Sequence, residues 1–329
     1  MTAVRGARIG VIGHGAVGRR VVQNLLLADE VDEVLLVSSS SSHESARLVD
    51  ELYVREAADV VVLATPAPQH PLAQVLLTAG RSVVTTSDDF QDGEALLGLE
   101  RLAVDAGRPF VVGAAAAPGL TGLLGRFAAA RLETVDELHV VAHGTGGPAC
   151  ARQHHLALGS SSRIWYDGEW RDRPGGTGRE LCWFPDPLGA YDCYRAALVD
   201  PLLLHRSFPD ATRVSARLTA TRRDRLTARL PMLRPPHPEA LEGAVRVEVR
   251  GAAEAGRRES IVLGAARPLA IIAGAVAAAV AVAAARGELP AGLLLAGDER
   301  LPTEALLEAV RAAGIPIHRF VGTATRTSW

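Results

Sequence analysis

Near the start of the chain, apolar residues form short continuous runs separated by stretches with helical spacing. Residues 8–12 (RIGVI) read as a strand. From Ala16 onward, Val17, Val21 and Leu25, with Val22 and Leu26 beside them, share one helical face, and Arg19, Arg20, Gln23 and Asn24 lie opposite. Further strands are expected at 34–37, 59–64, 82–86 and 109–114. Helices are expected from a Ser41/Glu44 capping box, over 71–79 up to Gly80, and over 93–106. An additional strand after 34–37 would be short, around 52–54, or absent. Continuous apolar strands alternating with amphipathic helices indicate a parallel, doubly wound sheet.

The period changes beyond Ala114. A helix is expected from Pro118-Gly119 to about 132, and then "DELHVVAH", "RIWYDGEWRD", "TRVSARLTA", "GAVRVEVRG" and "RRESIVLG" follow as short segments that often alternate. Val245, Val247 and Val249 alternate with Arg246, Glu248 and Arg250, the mark of a half-exposed antiparallel strand. Asp167-Gly168 is a hairpin signal, and 173–179 and 233–240 read as loops. From Arg267 the pattern is helical again and ends in a helix and a short strand. The expected fold class is therefore α/β. An N-terminal Rossmann doubly wound parallel sheet (1–115) is followed by an inserted, mainly antiparallel α+β second domain (116–265). A C-terminal segment (266–329) has a helix that returns to the Rossmann domain. Ligands would meet in the cleft between the domains.

The loop Gly13-His14-Gly15-Ala16-Val17-Gly18 stands where the first strand hands over to the first helix. In that context Gly13 permits a tight turn, Gly15 lets the backbone approach a pyrophosphate, and Gly18 lets the helix pack closely on the strand. Free N–H groups and partial positive charge at the helix start suit the phosphates. The alternative is a Rossmann-like fold that has lost its cofactor. About 20 positions past the last glycine, Ser38 and Ser39 stand where a carboxylate would hold an unphosphorylated ribose. With His43 and Arg47 close by, this favours NADP, with NAD as the alternative.

With 329 residues, the chain has room for about two domains. A net charge of −2 offers no electrostatic case for nucleic acid or an anionic membrane surface. The apolar run at 269–285 is short and rich in alanine, so a buried helix is expected rather than a span. Cys150, Cys182 and Cys193 have no metal-like spacing, no metal is expected, and the thiols read as those of a reducing cytoplasm. No signal peptide is evident, so a cytoplasmic location is expected. All 35 basic residues are arginine, so no lysine Schiff base or lysine general base can exist here.

"IGVIGHGAVGRRVV", "DVVVLATPAPQHPLAQVLLTAGRSVVTTS", "GAAAAPGLTGLLG" and the late "RPLAIIAGAVAAAVA" follow one another as in a known family. Over roughly 7–130 and 265–322 the chain resembles saccharopine dehydrogenase-like proteins of the NADP-binding reductase type. The resemblance implies oxidation or reduction of a C–N bond in an amino-acid-like substrate. It implies that residues 13–18 hold the pyrophosphate with His14 near the phosphates, and that Ser38 and Ser39 border the adenosine ribose. Ala64, Thr65 and Pro66 would pass beneath the nicotinamide ribose. Thr85 to Ser87, with Thr86 between them, would face the nicotinamide, and Ala115 to Gly119, including Pro118, would floor the ring. Two departures stand out. Ala117 precedes Pro118, and Thr121 and Gly122 follow Gly119, where lysine-forming reductases carry Asp and His. Ser87-Asp88-Asp89 replaces the Glu-Lys-Pro of sugar dehydrogenases.

Reduction of an imine needs a group that keeps the nitrogen protonated and an anchor for carboxylates. "ARQHHLALG" offers His154 and His155 for the proton and Arg152 for the anchor; a plain surface helix is the competing reading. "WFPDPLGAYDCYRAAL" has the composition of a rigid binding loop, with Tyr191, Asp192 and Tyr194 as candidate proton carriers and Arg195 as a carboxylate clamp. A structural loop around a buried tyrosine fits it equally. His70 is expected in the cofactor cleft or on the surface, and Arg222, Arg223 and Arg225 on a solvated face. The leading expectation is an NAD(P)-dependent oxidoreductase acting on CH–NH as a homodimer. The rivals are a non-catalytic NAD(P)-sensing or partner-binding Rossmann protein and a reductase like homoserine or aspartate dehydrogenase.

Overall fold

The structure is a computed structural model that describes residues 6–39, 45–232 and 241–321 and the backbone of 325–328. The first half alternates strands and helices: β1 (Ala7–Ile12), α1 (Ala16–Leu25), β2 (Val31–Val37), β3 (Arg47–Leu48), α2 (Glu51–Ala57), β4 (Val60–Leu63), α3 (His70–Thr78), β5 (Ser82–Thr85), α4 (Phe90–Leu97), α5 (Glu100–Ala106) and β6 (Pro109–Val112). Next come α6 (Leu120–Ala129), β7 (Thr134–Gly144), α7 (Pro148–Gly159), β8 (Ser161–Tyr166), β9 (Glu169–Pro174), β10 (Glu180–Phe184), β11 (Gly189–Arg195), α8 (Asp200–Ser207), β12 (Arg213–Thr219), α9 (Arg222–Thr227), β13 (Gly243–Ala252) and β14 (Arg258–Ala266). The chain closes with α10 (Leu269–Ala285), β15 (Gly292–Leu295), α11 (Thr303–Ala312), β16 (His318–Val321) and β17 (Thr325–Ser328).

The first sheet is parallel throughout, in the order β15-β6-β5-β4-β1-β2-β3. Helices cover both of its faces, so β4 (VVVL) and β5 (SVVT) are buried at every position and carry no alternation. The chain leaves β1 toward β2 on one side and later returns to β4 on the other. The glycine loop therefore opens at the switch point of a Rossmann sheet. Two local expectations are corrected. The short strand lies at Arg47–Leu48, while Leu52 to Val54 belong to α2, because the Asp50 carboxylate accepts from Tyr53 N at 2.7 Å and caps a helix there. The 93–106 helix is two helices, parted near Gly98, and the first begins earlier, with Asp89 accepting from Asp92 N at 2.8 Å. The Ser41/Glu44 capping box, His43 and the 233–240 loop lie outside the described residues.

The second sheet runs β10-β11-β12-β7-β13-β14-β16-β17, with the β8–β9 hairpin attached to β12. Its pairings are antiparallel except for β12 on β7. Asp167 (φ 50°) and Gly168 (φ 86°) turn the β8–β9 hairpin, both in the left-handed region that its signal requires. The expected binding loop of 183–198 is in large part the β10–β11 hairpin. Cys182, Phe184 and Cys193 face a small core, while Leu181 and Trp183 are exposed on the edge strand β10.

The C-terminal segment serves both sheets. Helix α10 is apolar all round, 13 of its 17 residues are buried, and it lies inside the protein. It crosses α1 so closely that a Cβ on Gly274 would come within 2.3 Å of Arg20 Cβ. Among the described residues no helix is long and apolar enough to cross a membrane. Strand β15 then extends the first sheet beside β6, and β16 pairs with β14 in the second. One hydrophobic core runs from β1, β2 and α1 through α10 and α6 to β7, β12 and β13.

Candidate active site

A cavity of about 790 Å³ opens at the carboxyl ends of β1, β4 and β5, between the first sheet and α7. The glycine loop forms one wall, and each glycine has a separate reason to be there. Gly13 has φ +104°, and a Cβ on it would stand 2.7 Å from Ala64 O. A Cβ on Gly18 would meet Gly13 O at 2.0 Å, so this glycine sets how closely α1 approaches β1. A Cβ on Gly15 would meet nothing within 4 Å; its missing side chain leaves space on the cavity side rather than inside the protein.

The neighbouring loops are held by buried polar contacts. Gln69, fully buried, donates Nε2 to Thr65 O at 2.7 Å and accepts from Thr86 N at 3.0 Å. The Asp92 carboxylate accepts from Gln69 N at 2.9 Å and His70 N at 3.0 Å. The walls at 64–67 and 86–88 are thereby braced against each other before any ligand arrives. Among the described residues, Thr65 Oγ1 and Ser87 Oγ are buried without a hydrogen-bond partner, and both residues line the cavity. Two orphaned hydroxyls beside an open backbone cradle suit a polar ligand of dinucleotide size.

Of the residues expected to hold the cofactor, Gly13, His14, Gly15, Ala16, Val17, Ser38, Ser39, Ala64, Thr65, Pro66, Thr86, Ser87 and Ala115 line this cavity. Gly18 lies behind the loop, Pro118 is buried outside the lining, and His70 begins α3. Glu51, absent from the expectations, lines the same rim as Ser38 and Ser39.

The residues expected to carry the chemistry divide. Arg152 and His154 line the cavity, but His155 turns away and bonds Leu230 O at 2.9 Å. Tyr191, Asp192, Tyr194 and Arg195 lie on β11, outside the lining. Tyr191 packs on His143 with ring centroids 4.3 Å apart, and Asp192 pairs with Arg179 at 2.9 Å. Tyr194 is buried beneath the Arg225 guanidinium, 4.2 Å from the ring centre. Burial, and then Arg217 nearby, lower the pKa of Arg195.

The sequence reading missed a cluster. On α7, Cys150 and His154 are four residues apart and so share a face. Cys150 Sγ lies 3.4 Å from His154 Nε2 and donates to Asp88 Oδ2 at 3.3 Å; His154 Nε2 is 3.4 Å from the same oxygen. Burial opposes charge on His154, yet Cys150 and Asp88 hold its pKa well above the ordinary histidine range. Burial pushes the Cys150 thiol up, against the pull of His154. The sequence signal was the C-x-x-x-H spacing, but its third member comes from a loop 62 residues earlier.

No protein-family model and no curated protein matches the chain. Solved structures do. Saccharopine dehydrogenase (L-Glu forming) from Saccharomyces cerevisiae is similar, with a TM-score of 0.68 at 15% identity, covering 96% of this chain and 100% of that one. DAP dehydrogenase of C. glutamicum in complex with DAP has a TM-score of 0.53 at 15% identity, covering 93% and 98%. An engineered D-amino acid dehydrogenase bound to NADP+ has a TM-score of 0.52 at 14% identity, covering 94% and 99%. Over nearly its whole length the chain has the fold of the saccharopine dehydrogenase-like oxidoreductases.

Proposed function

We propose that the chain is an NAD(P)-dependent oxidoreductase acting on the C–N bond of an amino-acid-like substrate. The observation that carries this reading is the open side of Gly15, which looks into a cavity whose wall also carries Asp88, Cys150 and His154. The amino-acid dehydrogenases of similar fold, one of them holding NADP+, support the same class. The glycine loop and the start of α1 would hold the pyrophosphate, and Thr65, Thr86 and Ser87 would offer hydroxyls to the nicotinamide half. When bound, the dinucleotide supplies or accepts a hydride. His154, whose pKa Cys150 and Asp88 raise against burial, can hand its Nε2 proton to a substrate nitrogen. Arg152, exposed at the mouth, suits a substrate carboxylate. At the adenosine end, Ser38 and Ser39 leave room for the 2′-phosphate of NADP, whereas the Glu51 carboxylate on that rim favours NAD.

The test is direct. Titration with NADPH and NADH, followed by nucleotide fluorescence, should show saturable binding. Amino acids paired with 2-keto acids should then give turnover in nicotinamide absorbance. Absence of binding to either dinucleotide overturns the reading; binding without turnover on any such pair leaves a dinucleotide sensor.

A further inference from the structure

We propose that Asp88, Cys150 and His154 form a zinc site whose fourth coordination position opens into the cavity. The three donor atoms form a triangle with edges of 3.3 Å (Sγ to Oδ2), 3.4 Å (Sγ to Nε2) and 3.4 Å (Nε2 to Oδ2). Zinc binds thiolate sulfur at about 2.3 Å, and imidazole nitrogen and carboxylate oxygen at about 2.0–2.1 Å, in a tetrahedral arrangement. Those bond lengths at the tetrahedral angle give edges of about 3.5, 3.6 and 3.3 Å for the same three pairs. A Zn²⁺ ion at the centre therefore needs adjustments of only about 0.2 Å in each edge. The triangle already has the size of one face of the coordination tetrahedron.

The donor set also selects the metal. A thiolate, an imidazole and a single carboxylate oxygen suit Zn²⁺, whereas Mg²⁺ and Ca²⁺ prefer shells made of oxygen. Charge balances as well. Zn²⁺ with one thiolate, one carboxylate and a neutral imidazole sums to zero, which suits a buried position. Zinc takes the cysteine as thiolate and the imidazole in its neutral form, so metal and protons compete for both donors.

The three donors are held by their surroundings. Cys150 and His154 stand one turn apart on α7, as paired ligands on one helix face must. Asp88 belongs to the 86–89 loop, whose next residue, Asp89, both caps α4 and accepts from Gln153 Nε2 of α7 at 2.5 Å. The loop and the helix that supply the ligands are thus tied to each other beside the site. All three residues line the cavity, as does Ser87 with its unpartnered buried hydroxyl. Three protein ligands with one open position is the arrangement of a catalytic zinc rather than a structural one. A carbonyl or imine held there would be polarised by the metal, and the proton traffic assigned above to His154 would pass to the metal-bound group. That role rests on the proposed oxidoreductase reading; metal binding itself needs no dinucleotide.

The experiment titrates the full-length protein, stripped with a chelator, with Co²⁺ and then Zn²⁺. Cobalt should give the intense visible bands of tetrahedral coordination and a near-ultraviolet thiolate-to-cobalt band, and Zn²⁺ should abolish both. Zinc affinity should weaken as pH falls, because protons compete for the same donors. Cys150→Ser should remove the thiolate band, and His154→Gln should weaken zinc at least tenfold, with circular dichroism reporting that each variant is folded. Absence of saturable zinc uptake, or a thiolate band that survives in Cys150→Ser and so belongs to Cys182 or Cys193, overturns the proposal. NADPH titration of the same samples reports on the dinucleotide reading separately, so either proposal can fail while the other stands.

Discussion

Replacing Gly15 by alanine separates binding from folding at the glycine loop. Gly15 is the N-cap of α1, with φ −73° and ψ −163°, a conformation open to any residue. Its new methyl would meet no protein atom within 4 Å. Loss of a good N-cap costs about 1 kcal/mol. Removal of glycine's freedom from the unfolded chain returns about 0.4–1 kcal/mol. Thermal stability should therefore stay within about 1 kcal/mol of the parent. On the proposed placement the same methyl stands where the pyrophosphate would approach the backbone, and crowding of that kind costs about 1–3 kcal/mol. The dissociation constant for the dinucleotide should rise about 10- to 100-fold. Gly18→Ala is the opposite case. Its methyl would lie 2.0 Å from Gly13 O, a backbone atom that cannot rotate away. Helix α1 must retreat from β1, so thermal stability should fall by about 1–3 kcal/mol together with binding. Fluorescence titration and thermal melts on both variants make the comparison. A Gly15→Ala protein that binds NADPH and NADH as tightly as the parent would refute the placement of the pyrophosphate.

Three further outcomes are expected. Glu248, buried between Arg246 at 2.7 Å and Arg250 at 2.6 Å, has its carboxyl drawn down to about 2, with burial opposing and the two arginines prevailing. A lowered folded-state pKa stabilises the protein above the ordinary 4.5, and that stabilisation is lost as pH falls toward 2. Urea unfolding should show Glu248→Gln less stable than the parent by about 2 kcal/mol at pH 7, allowing for screening at half-exposed Arg250, with the gap closing in acid; an equal gap at both pH values contradicts this. Glu51→Gln removes the carboxylate from the rim that Ser38 and Ser39 share, and should shift the ratio of dissociation constants severalfold toward NADPH; an unchanged ratio places the adenosine ribose elsewhere. Trp183→Ser removes an exposed apolar residue of edge strand β10, and a homodimer built on that edge should sediment as monomer, whereas an unaltered dimer moves the contact to another surface.

The parts of the molecule readable from sequence are those where local pattern and function coincide. A strand, the glycine loop and an amphipathic helix each carried their own signal over residues 8–26, and the structure keeps them within a residue or two. The 269–285 helix announced itself by being apolar on every side, and its bounds agree with the structure. The 180–195 hairpin was hidden because its outward residues, Leu181 and Trp183, are as apolar as the inward Cys182 and Phe184, so no alternation shows. Strand-like residues misled at 52–54, where Leu-Tyr-Val suggested a strand and the cap at Asp50 decided otherwise. At the site, residues on the glycine loop and the strand ends were legible. The Asp88–Cys150–His154 cluster was not, because only the docking of α7 against the 86–89 loop joins its members.

The shared tail of the molecule also bears on how it is made. Residues 269–285 supply the cover for the first helix, and 292–295 supply the outer strand beside β6. A nascent chain that has emerged only as far as residue 265 therefore exposes an uncovered helix face and an unpaired strand edge, both prone to sticking. The half built on the parallel sheet can reach its final form only after the late segment has left the ribosome, so truncation near residue 265 should yield aggregated material rather than a smaller working domain.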